Sequence, residues 1–454
     1  MSRTPLTAEQ VLALSPDDAS SKSARGLVSP GKWPMLGAND GAVWGECQGS
    51  GSKPYQTQVD VSGAGPVFRC SCPSRKFPCK HGLALLLLQA QTAGSFVAAE
   101  PAWVSEWLAS RKERAEKKEI KAQAAPAVVD PALSAKREAQ RHQRMAAGAQ
   151  ELALWLDDLC RKGLASLSPN DSAHWTTMAA RMVDAQAPGL GQSLTQAMAL
   201  VGQGRDWPAR LLARLGKLQL LLDAVAHPER LTPALQADLR QALGWPLERD
   251  EVLAHGEPLA DEWTVIAQVM LEREARLSER RVWLQGVHSQ RRALLLDFSF
   301  AGKAFEQGWV TGMTQSCALA FYPGADPQRA LLVGSAGAGQ ASVLPVPLPG
   351  GNSAEWMALA TRMAANPWAA SWPLCLTQVC LQAPGEGESE WRLWTEQGAI
   401  PLVMADNDAW LLMAFAGGAP LTLFGEWTGE ALLPLTAWNT SGHWAASSMA
   451  GGRA

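Results

Sequence analysis

Three cysteines and one histidine lie within twelve residues of the chain, in the stretch CSCPSRKFPCKH at residues 70–81. Their spacing is Cys-x-Cys, six further residues, and then Cys-x-His. Thiolates and imidazoles are ligands that Zn²⁺ prefers, and four of them complete its usual tetrahedral shell. The stretch therefore predicts a zinc site formed by Cys70, Cys72, Cys79 and His81.

Other uses of these cysteines fit the sequence less well. The Cys-x-x-Cys spacing of thiol oxidoreductases is absent. The five remaining cysteines are scattered along the chain, which favours buried thiols in a reducing compartment over a disulfide framework. Chance clustering is the remaining alternative. Because four protein ligands leave no position for water, we expect one structural zinc ion and no catalytic residue in the motif.

The elements around the motif must bring its two halves together. Two cysteines one residue apart on a straight strand point to opposite faces, so the strand must curl near Pro73. Cys79 and His81 would likewise face apart on a regular helix, so Cys79 must precede its first turn. The stretches AVWGECQ, YQTQVDV and VFRCSC indicate strands, and GLALLLLQAQT indicates a short buried helix. We expect a hairpin end that faces a helix N-terminus.

This arrangement resembles the SWIM zinc finger, in which Cys-x-Cys and Cys-x-His follow a β-hairpin and lead into an apolar helix. The segments WGECQGSGSKPYQTQVD and FRCSCPSRKFPCKHGLALLLL are similar to a bacterial group of SWIM-finger proteins, over residues 30–90. The resemblance implies zinc binding, and DNA or protein binding by the finger. It also implies an association with MoxR-type AAA+ ATPases and von Willebrand A-domain proteins.

The residues between the zinc ligands form the candidate contact surface. The candidates for nucleic-acid or partner contact are Arg69, Arg75, Lys76, Phe77 and Lys80. No acidic residue occurs from position 61 to position 99, so the basic side chains could contact phosphates. Alternatively, they balance the negative charge of the site, since three thiolates and Zn²⁺ sum to about −1.

The composition of the chain indicates a multidomain globular protein. It has 454 residues, of which 47% are hydrophobic and 18% are charged. The N-terminal residues are polar, and no apolar run near them could cross a bilayer, so we expect a cytoplasmic protein. Residues 1–144 hold 19 basic and 13 acidic residues, whereas residues 145–454 hold 21 and 30. An anionic partner would therefore dock on the N-terminal third.

The sequence divides into four segments of a multidomain α+β protein. Residues 1–108 are predicted to form the zinc-finger domain, with its β-hairpin and helix. Residues 109–144 mix ten basic with five acidic residues between 111 and 144, which predicts a solvated charged linker, with a nucleic-acid arm as the alternative. Residues 145–282 have the apolar period of helices, and residues 283–454 are predicted to be β-rich.

The C-terminal segment is rich in tryptophan. Short apolar runs such as RALLLDFSF and AWLLMAFA indicate strands, with WMALATRMAANP as one helix among them. Eleven of the twenty tryptophans of the chain lie in this segment. Their positions beside Leu and Val favour core packing over a stacking surface for bases or sugars.

The local signatures of common enzymes are absent from the sequence. There is no G-x-x-x-x-G-K-[ST] phosphate loop, no H-E-x-x-H metal motif and no G-x-S-x-G elbow. We therefore expect a zinc-binding, non-catalytic interaction protein that binds another protein in an AAA+ ATPase-associated complex. The alternative is a DNA- or RNA-binding protein that uses the basic finger loop, and a second alternative is an enzyme with an unrecognised site.

Overall fold

The computed structural model describes most of the chain between residues 6 and 450. The residues outside this description are 1–5, 17, 50–52, 64, 75, 124–130, 165–166, 170–171, 246, 275–276, 301–304, 306, 338, 343–347, 386–389, 447–448 and 451–454. Among the described helices, none is both long enough and apolar enough to cross a membrane.

The N-terminal domain is an antiparallel sheet with a buried helix packed against it. Its helices are α1 (Ala8–Ala13), α2 (Asp18–Arg25) and α3 (Lys80–Gln91), and its strands, in sheet order, are β1 (Met35–Ala38), β2 (Ala42–Cys47), β3 (Tyr55–Asp60) and β4 (Val67–Cys70). Helix α3 is buried at every residue from His81 to Leu88. It can be apolar on all sides because the sheet covers one side and α1 and α2 cover another.

The middle of the chain is helical, as predicted. Its helices are α4 (Ala102–Gln123), α5 (Pro131–Lys162), α6 (Ser172–Asp184), α7 (Pro188–Met198), α8 (Trp207–Ala226), α9 (Pro233–Ala242) and α10 (Arg249–His255). Helices α5 to α9 share one core that includes Leu152, Met182, Leu190 and Leu215. The helices around this core are joined by short connections, as in an antiparallel bundle.

The described residues of the predicted linker at 109–144 are helical. Helix α4 continues to Gln123, and α5 begins at Pro131, well before the predicted boundary at 145. The first half of α5 is held by an ion pair between Glu138 and Arg240, 3.5 Å long, and by the Arg141 guanidinium, which lies 4.7 Å from the Trp245 ring centroid. These contacts join Glu138 and Arg141 of α5 to Arg240 of α9 and to Trp245.

A closed five-stranded barrel follows the helical domain. Its strands are β5 (Glu257–Glu274), β6 (Leu277–Gly286), β7 (Arg292–Phe300), β8 (Met313–Phe321) and β9 (Arg329–Val333). The hydrogen-bonded order β5-β6-β7-β9-β8 returns to β5, because this 18-residue strand pairs with β8 along its first half and with β6 along its second. Only β7 and β9 pair in parallel within this circuit. This is the strand order of an OB-fold barrel.

The last part of the chain is a six-stranded sheet with two helices packed against it. After the short strand β10 (Gln340–Ala341) come α11 (Gly351–Ala365), β11 (Trp372–Gln382), β12 (Arg392–Thr395), β13 (Gly398–Pro401), α12 (Asp406–Ala416), β14 (Leu421–Trp427), β15 (Leu432–Asn439), β16 (Gly442–Ala445) and β17 (Met449–Ala450). The sheet order is β13-β12-β11-β14-β15-β16. Strand β17 pairs in parallel with β5 of the barrel.

The barrel packs on one face of this sheet and also contacts α11. Trp283 and Leu294 of the barrel share an apolar cluster with Phe424 and Leu433 of the sheet. Two ion pairs cross the same boundary. Arg281 donates to both carboxylate oxygens of Glu426, at 2.8 and 3.0 Å. A fully buried ion pair joins Arg292 of the barrel to Glu355 of α11.

Two secondary-structure expectations are corrected by the structure. Residues 257–282 were predicted to be helical, but 257–274 form β5 and 277–282 lie in β6. There Arg280 bonds Asp297 of the neighbouring strand β7 and Arg281 bonds Glu426 of the C-terminal sheet. The run AWLLMAFA, predicted as a strand, lies in helix α12. That helix is apolar on its outer as well as its inner face, so the sequence shows no helical period there.

Candidate metal centre

The four predicted zinc ligands come together at the junction of β4 and α3. Cys70 is the last residue of β4, and Cys72 lies in the turn that follows. Cys79 is the N-cap residue of α3 with extended backbone angles, and His81 lies in the first helical turn. The ligand atoms of the four residues all lie within 4.8 Å of one another. The expected hairpin end therefore faces a helix N-terminus.

Residues of β3 support the ligands from behind. Thr57 pairs with Cys70 across the sheet, is fully buried, and places its hydroxyl 3.2 Å from the Cys70 sulfur. The Tyr55 ring lies 5.0 Å from the His81 ring, centroid to centroid. These two residues share one face of β3, and the motif spacing gave no indication of them. Strand alternation on β3 was the only signal that could have placed them beside the site.

The four ligand groups shift one another's pKa values in opposite directions. Hydrogen bonds from the thiols of Cys70 and Cys79 lower the pKa of Cys72, whereas hydrogen bonding and burial raise the pKa of Cys79. Burial of the His81 ring opposes its protonation, but the bonds and charges of Cys70 and Cys72 outweigh it and raise the pKa of His81 to about 9. A metal ion that binds here at neutral pH therefore displaces protons, so its affinity rises with pH.

The donor set and its placement match a known zinc-binding module. Residues 56–89 match the family model of the SWIM zinc finger. The chain carries a SWIM zinc finger. Residues 140–243 match the SWIM-associated four-helix bundle domain, which covers the helical core built from α5 to α9. Comparison of the chain with curated proteins and with solved structures finds no significant match.

A zinc ion held by the four ligands of the SWIM finger would cross-link β4 and α3. Cys70 and Cys72 would hold zinc from the end of β4, and Cys79 and His81 would hold it from the start of α3. Such an ion would make four bonds between two elements that a loop joins in the sequence. All four donors are protein atoms, so the residues fit a structural zinc ion.

The candidate contact residues of the finger fall into two groups. Arg69, Lys76 and Lys80 are exposed, whereas Arg75 lies outside the described residues. Phe77 is half-buried, with its ring edge-on to Phe68 at a centroid distance of 6.1 Å. The basic side chains are therefore accessible to a partner, and the aromatic one points toward the chain itself.

The apolar side of the zinc loop rests against the barrel. Phe77 and Pro78 form one wall of a narrow groove whose other wall includes Met270 and Arg280. Beside this groove, a Cβ atom added at Gly65 would lie 2.5 Å from the carbonyl carbon of Gly308, so the two backbones touch directly. The SWIM finger thus touches the segment between β7 and β8 through the turn between β3 and β4, and its zinc loop lines the adjoining groove.

The Thr57 hydroxyl offers a test of the support behind the ligands. Replacing Thr57 by valine keeps the shape of the side chain but removes the bond to Cys70, so zinc affinity is expected to fall by about 10-fold. Competition with a chromogenic chelator measures this change. The matched variant Thr57→Ser keeps the hydroxyl and should bind zinc nearly as the parent does. Equal affinity in the valine variant and the parent would exclude the role of Thr57.

Proposed function

We propose that the chain is a non-catalytic scaffold, in which a structural zinc ion holds the SWIM finger in place and the assembled domains bind another protein. The observation that carries this proposal is the closed ligand set, in which four protein atoms lie within 4.8 Å of one another. Such a set leaves no metal position for a substrate or an activated water. The zinc ion would then stabilise the finger and fix the position of the surface residues around it.

The packing of the barrel also supports a scaffold. OB-fold barrels bind oligonucleotides on the face formed by their second and third strands. Here those strands are β6 and β7, and their outer residues Trp283 and Leu294 are covered by the sheet residues Phe424 and Leu433. Arg281 on the same face is occupied by Glu426. The C-terminal sheet of the same chain therefore covers most of the barrel face that an oligonucleotide would contact.

Affinity purification tests the scaffold proposal directly. The zinc-loaded full chain should retain the same protein partners with and without nuclease treatment, as identified by mass spectrometry. We expect a MoxR-type AAA+ ATPase or a von Willebrand A-domain protein among them, as the SWIM-finger resemblance implies. Loss of every specific partner after nuclease treatment would contradict protein binding and favour a nucleic acid as the bridging ligand.

A second candidate function is nucleic-acid binding by the finger loop. The observation that favours it is the exposure of Arg69, Lys76 and Lys80 on one short stretch around the ligands. Each such side chain that neutralises a phosphate releases a counterion, so binding would weaken steeply as salt increases. A loop of this size would use only a few phosphate contacts.

The double variant Lys76→Glu with Lys80→Glu separates the two candidates. If the finger binds nucleic acid, fluorescence anisotropy with labelled DNA and RNA should show at least a 10-fold loss of affinity at low salt, since two contacts become repulsive. The salt slope should also decrease by about two. Lys162→Glu, an exposed residue at the end of α5, is the control. No binding by the parent protein at low salt would end this candidate.

A further inference from the structure

The described strands leave one side of strand β7 uncovered over its second half. Strand β6 pairs with β7 along its whole length, from Arg292 to Phe300. On the other side, β9 pairs with β7 only at Leu294 and Leu295. Within the described parts of the chain, no strand pairs with this second side of β7 from 296 to 300. We call this side of residues 296–300 the β7 edge.

The backbone direction of β7 shows which groups lie at this edge. The N–H of Leu294 donates to the carbonyl of Gln328, next to β9, at 2.7 Å. Backbone groups alternate in direction along a strand, so the N–H and C=O groups of Phe298 and Phe300 point to the same side as the N–H of Leu294. Such a row of groups at a sheet edge is a template for a further strand. The β7 edge therefore favours a partner in the extended conformation.

The side chains at the β7 edge are apolar on one face of the strand. Phe298 is 54% exposed and Phe300 is 58% exposed. As alternate residues they share the face of Leu296, which packs against the apolar cluster between the barrel and the C-terminal sheet. Residues 296–300 include no Lys or Pro, the residues with which edge strands commonly avoid pairing. An added strand would therefore find two aromatic rings beside the backbone groups.

The charged residues around the β7 edge are held in ion pairs. Asp297, on the opposite face of the strand, accepts a hydrogen bond from Arg280. Glu279 of β6, directly across from Phe298, lies 3.3 Å from Arg281. A single-stranded nucleic acid would need basic side chains beside the rings to contact its phosphates. Because both arginines are engaged by carboxylates, the β7 edge fits a peptide better than a nucleic acid.

The same layer of strands already accepts a short added strand at its other edge. Strands β5, β6 and β7 continue side by side past the point where β7 leaves β9. At the outer edge of β5, the short strand β17 pairs in parallel with Leu271 and Glu272. Of the two outer edges of this layer, the described strands thus cover the β5 edge and leave the β7 edge. A strand added to β7 would cover the second edge in the same way.

We propose that the β7 edge binds an extended segment of a partner protein, which adds a strand to the barrel and places apolar side chains on Phe298 and Phe300. Some peptide-binding domains hold their ligands in this way, with main-chain hydrogen bonds for affinity and side-chain contacts for specificity. A second copy of the chain would contribute about five residues per side here, whereas stable interfaces use about 20–30 residues per side. This inference rests on the proposed protein-binding function and names the surface that carries it.

Fluorescence anisotropy of the zinc-loaded full chain with the labelled peptide KTVTVTVTK tests this proposal. The parent protein should bind this alternating peptide with a dissociation constant below about 1 mM. Phe298→Thr removes one ring and should weaken binding about 3-fold. Phe298→Pro also removes the N–H at the edge, which an edge strand tolerates, and should weaken binding at least about 10-fold. Leu154→Thr, at a residue 65% exposed on α5, should leave binding unchanged.

Two N-methylated forms of the peptide distinguish strand addition from a loose apolar contact. One form is methylated at every Val amide and the other at every Thr amide, and in an extended peptide these two sets of N–H groups point to opposite sides. One form should lose binding at least about 10-fold, and the other should keep it. Equal affinity of the two forms overturns the proposal, as does a parent protein that does not bind the unmodified peptide.

Affinity purification with Phe298→Pro relates the β7 edge to the proposed function. The variant should lose protein partners that the parent protein and Leu154→Thr retain. If Phe298→Pro retains the same partners, the β7 edge is not the binding surface, although the scaffold proposal stands. If the parent protein itself retains no protein partner after nuclease treatment, the scaffold proposal fails. The two failures are therefore distinguishable.

Discussion

Replacing Cys72 by serine is expected to release the zinc ion and to open the loop between β4 and α3. A serine hydroxyl is a poor ligand at neutral pH, and three remaining donors cannot close the tetrahedral shell. The binding free energy of structural zinc in zinc-finger peptides is about 10–16 kcal/mol, so its loss is large compared with the stability of a domain. Metal content by mass spectrometry and hydrogen exchange at residues 67–81 measure the two effects.

The rest of the chain should respond little to Cys72→Ser. Helices α6 to α8 have their own core, so their peptides should keep their protection from exchange. The exposed Cys160 on α5 provides the matched control, since Cys160→Ser removes a thiol without touching the site. If Cys72→Ser and the parent hold equal amounts of zinc, the ligand assignment is wrong.

Replacing Glu355 by alanine is expected to cause the largest loss of stability in the C-terminal domains. The Glu355 side chain is 0% exposed and that of its partner Arg292 is 1% exposed. The carboxylate accepts from both terminal nitrogens of Arg292 and from the backbone N–H groups of Leu348 and Cys375. Its removal leaves a buried guanidinium uncompensated, which costs about 3–5 kcal/mol.

The free energy of unfolding in urea, together with hydrogen exchange in β7 and β11, measures the effect of Glu355→Ala. The control is Glu390→Ala, because Glu390 pairs with Arg392 at the surface and should contribute less than about 1 kcal/mol. The double variant Arg292→Met with Glu355→Gln removes the charge and keeps an acceptor for the backbone, so it should be more stable than Glu355→Ala. A loss below about 1 kcal/mol in Glu355→Ala would contradict the importance of this pair.

The metal centre could be predicted from sequence because its chemistry is local. Cys70, Cys72, Cys79 and His81 lie within twelve residues, so spacing alone indicated four converging donors. Their supporting residue Thr57 could not be found this way, because it reaches Cys70 only through the register of β3 with β4. The ligands are therefore close together in the sequence, whereas the residue that supports them reaches them only through the fold.

The C-terminal half was less predictable because its polar contacts are between distant residues. The sequence ERRVWL, with Arg280 and Arg281, has the charge of a solvated helix, yet it lies on a strand of the barrel. Arg281 meets Glu426, 145 residues away, and Arg280 meets Asp297. The core position predicted for the tryptophans is confirmed for Trp283, which is buried, but Trp394 and Trp410 are 50% and 58% exposed. The partners of these residues are brought next to them only by the fold, so the sequence alone does not identify them.

The contact between Gly65 and Gly308 has a consequence for the time at which the finger is completed. During synthesis, the finger sequence emerges well before the barrel, since more than 200 residues separate α3 from β8. At about 5–20 residues per second, this interval lasts roughly 10 to 45 s. During that interval, the Phe77 side of the loop is uncovered and zinc can enter from either side. Once the barrel has folded, Phe77 and Pro78 line a groove together with Met270 and Arg280, so a zinc ion would exchange more readily from the side of the exposed Lys76 and Lys80.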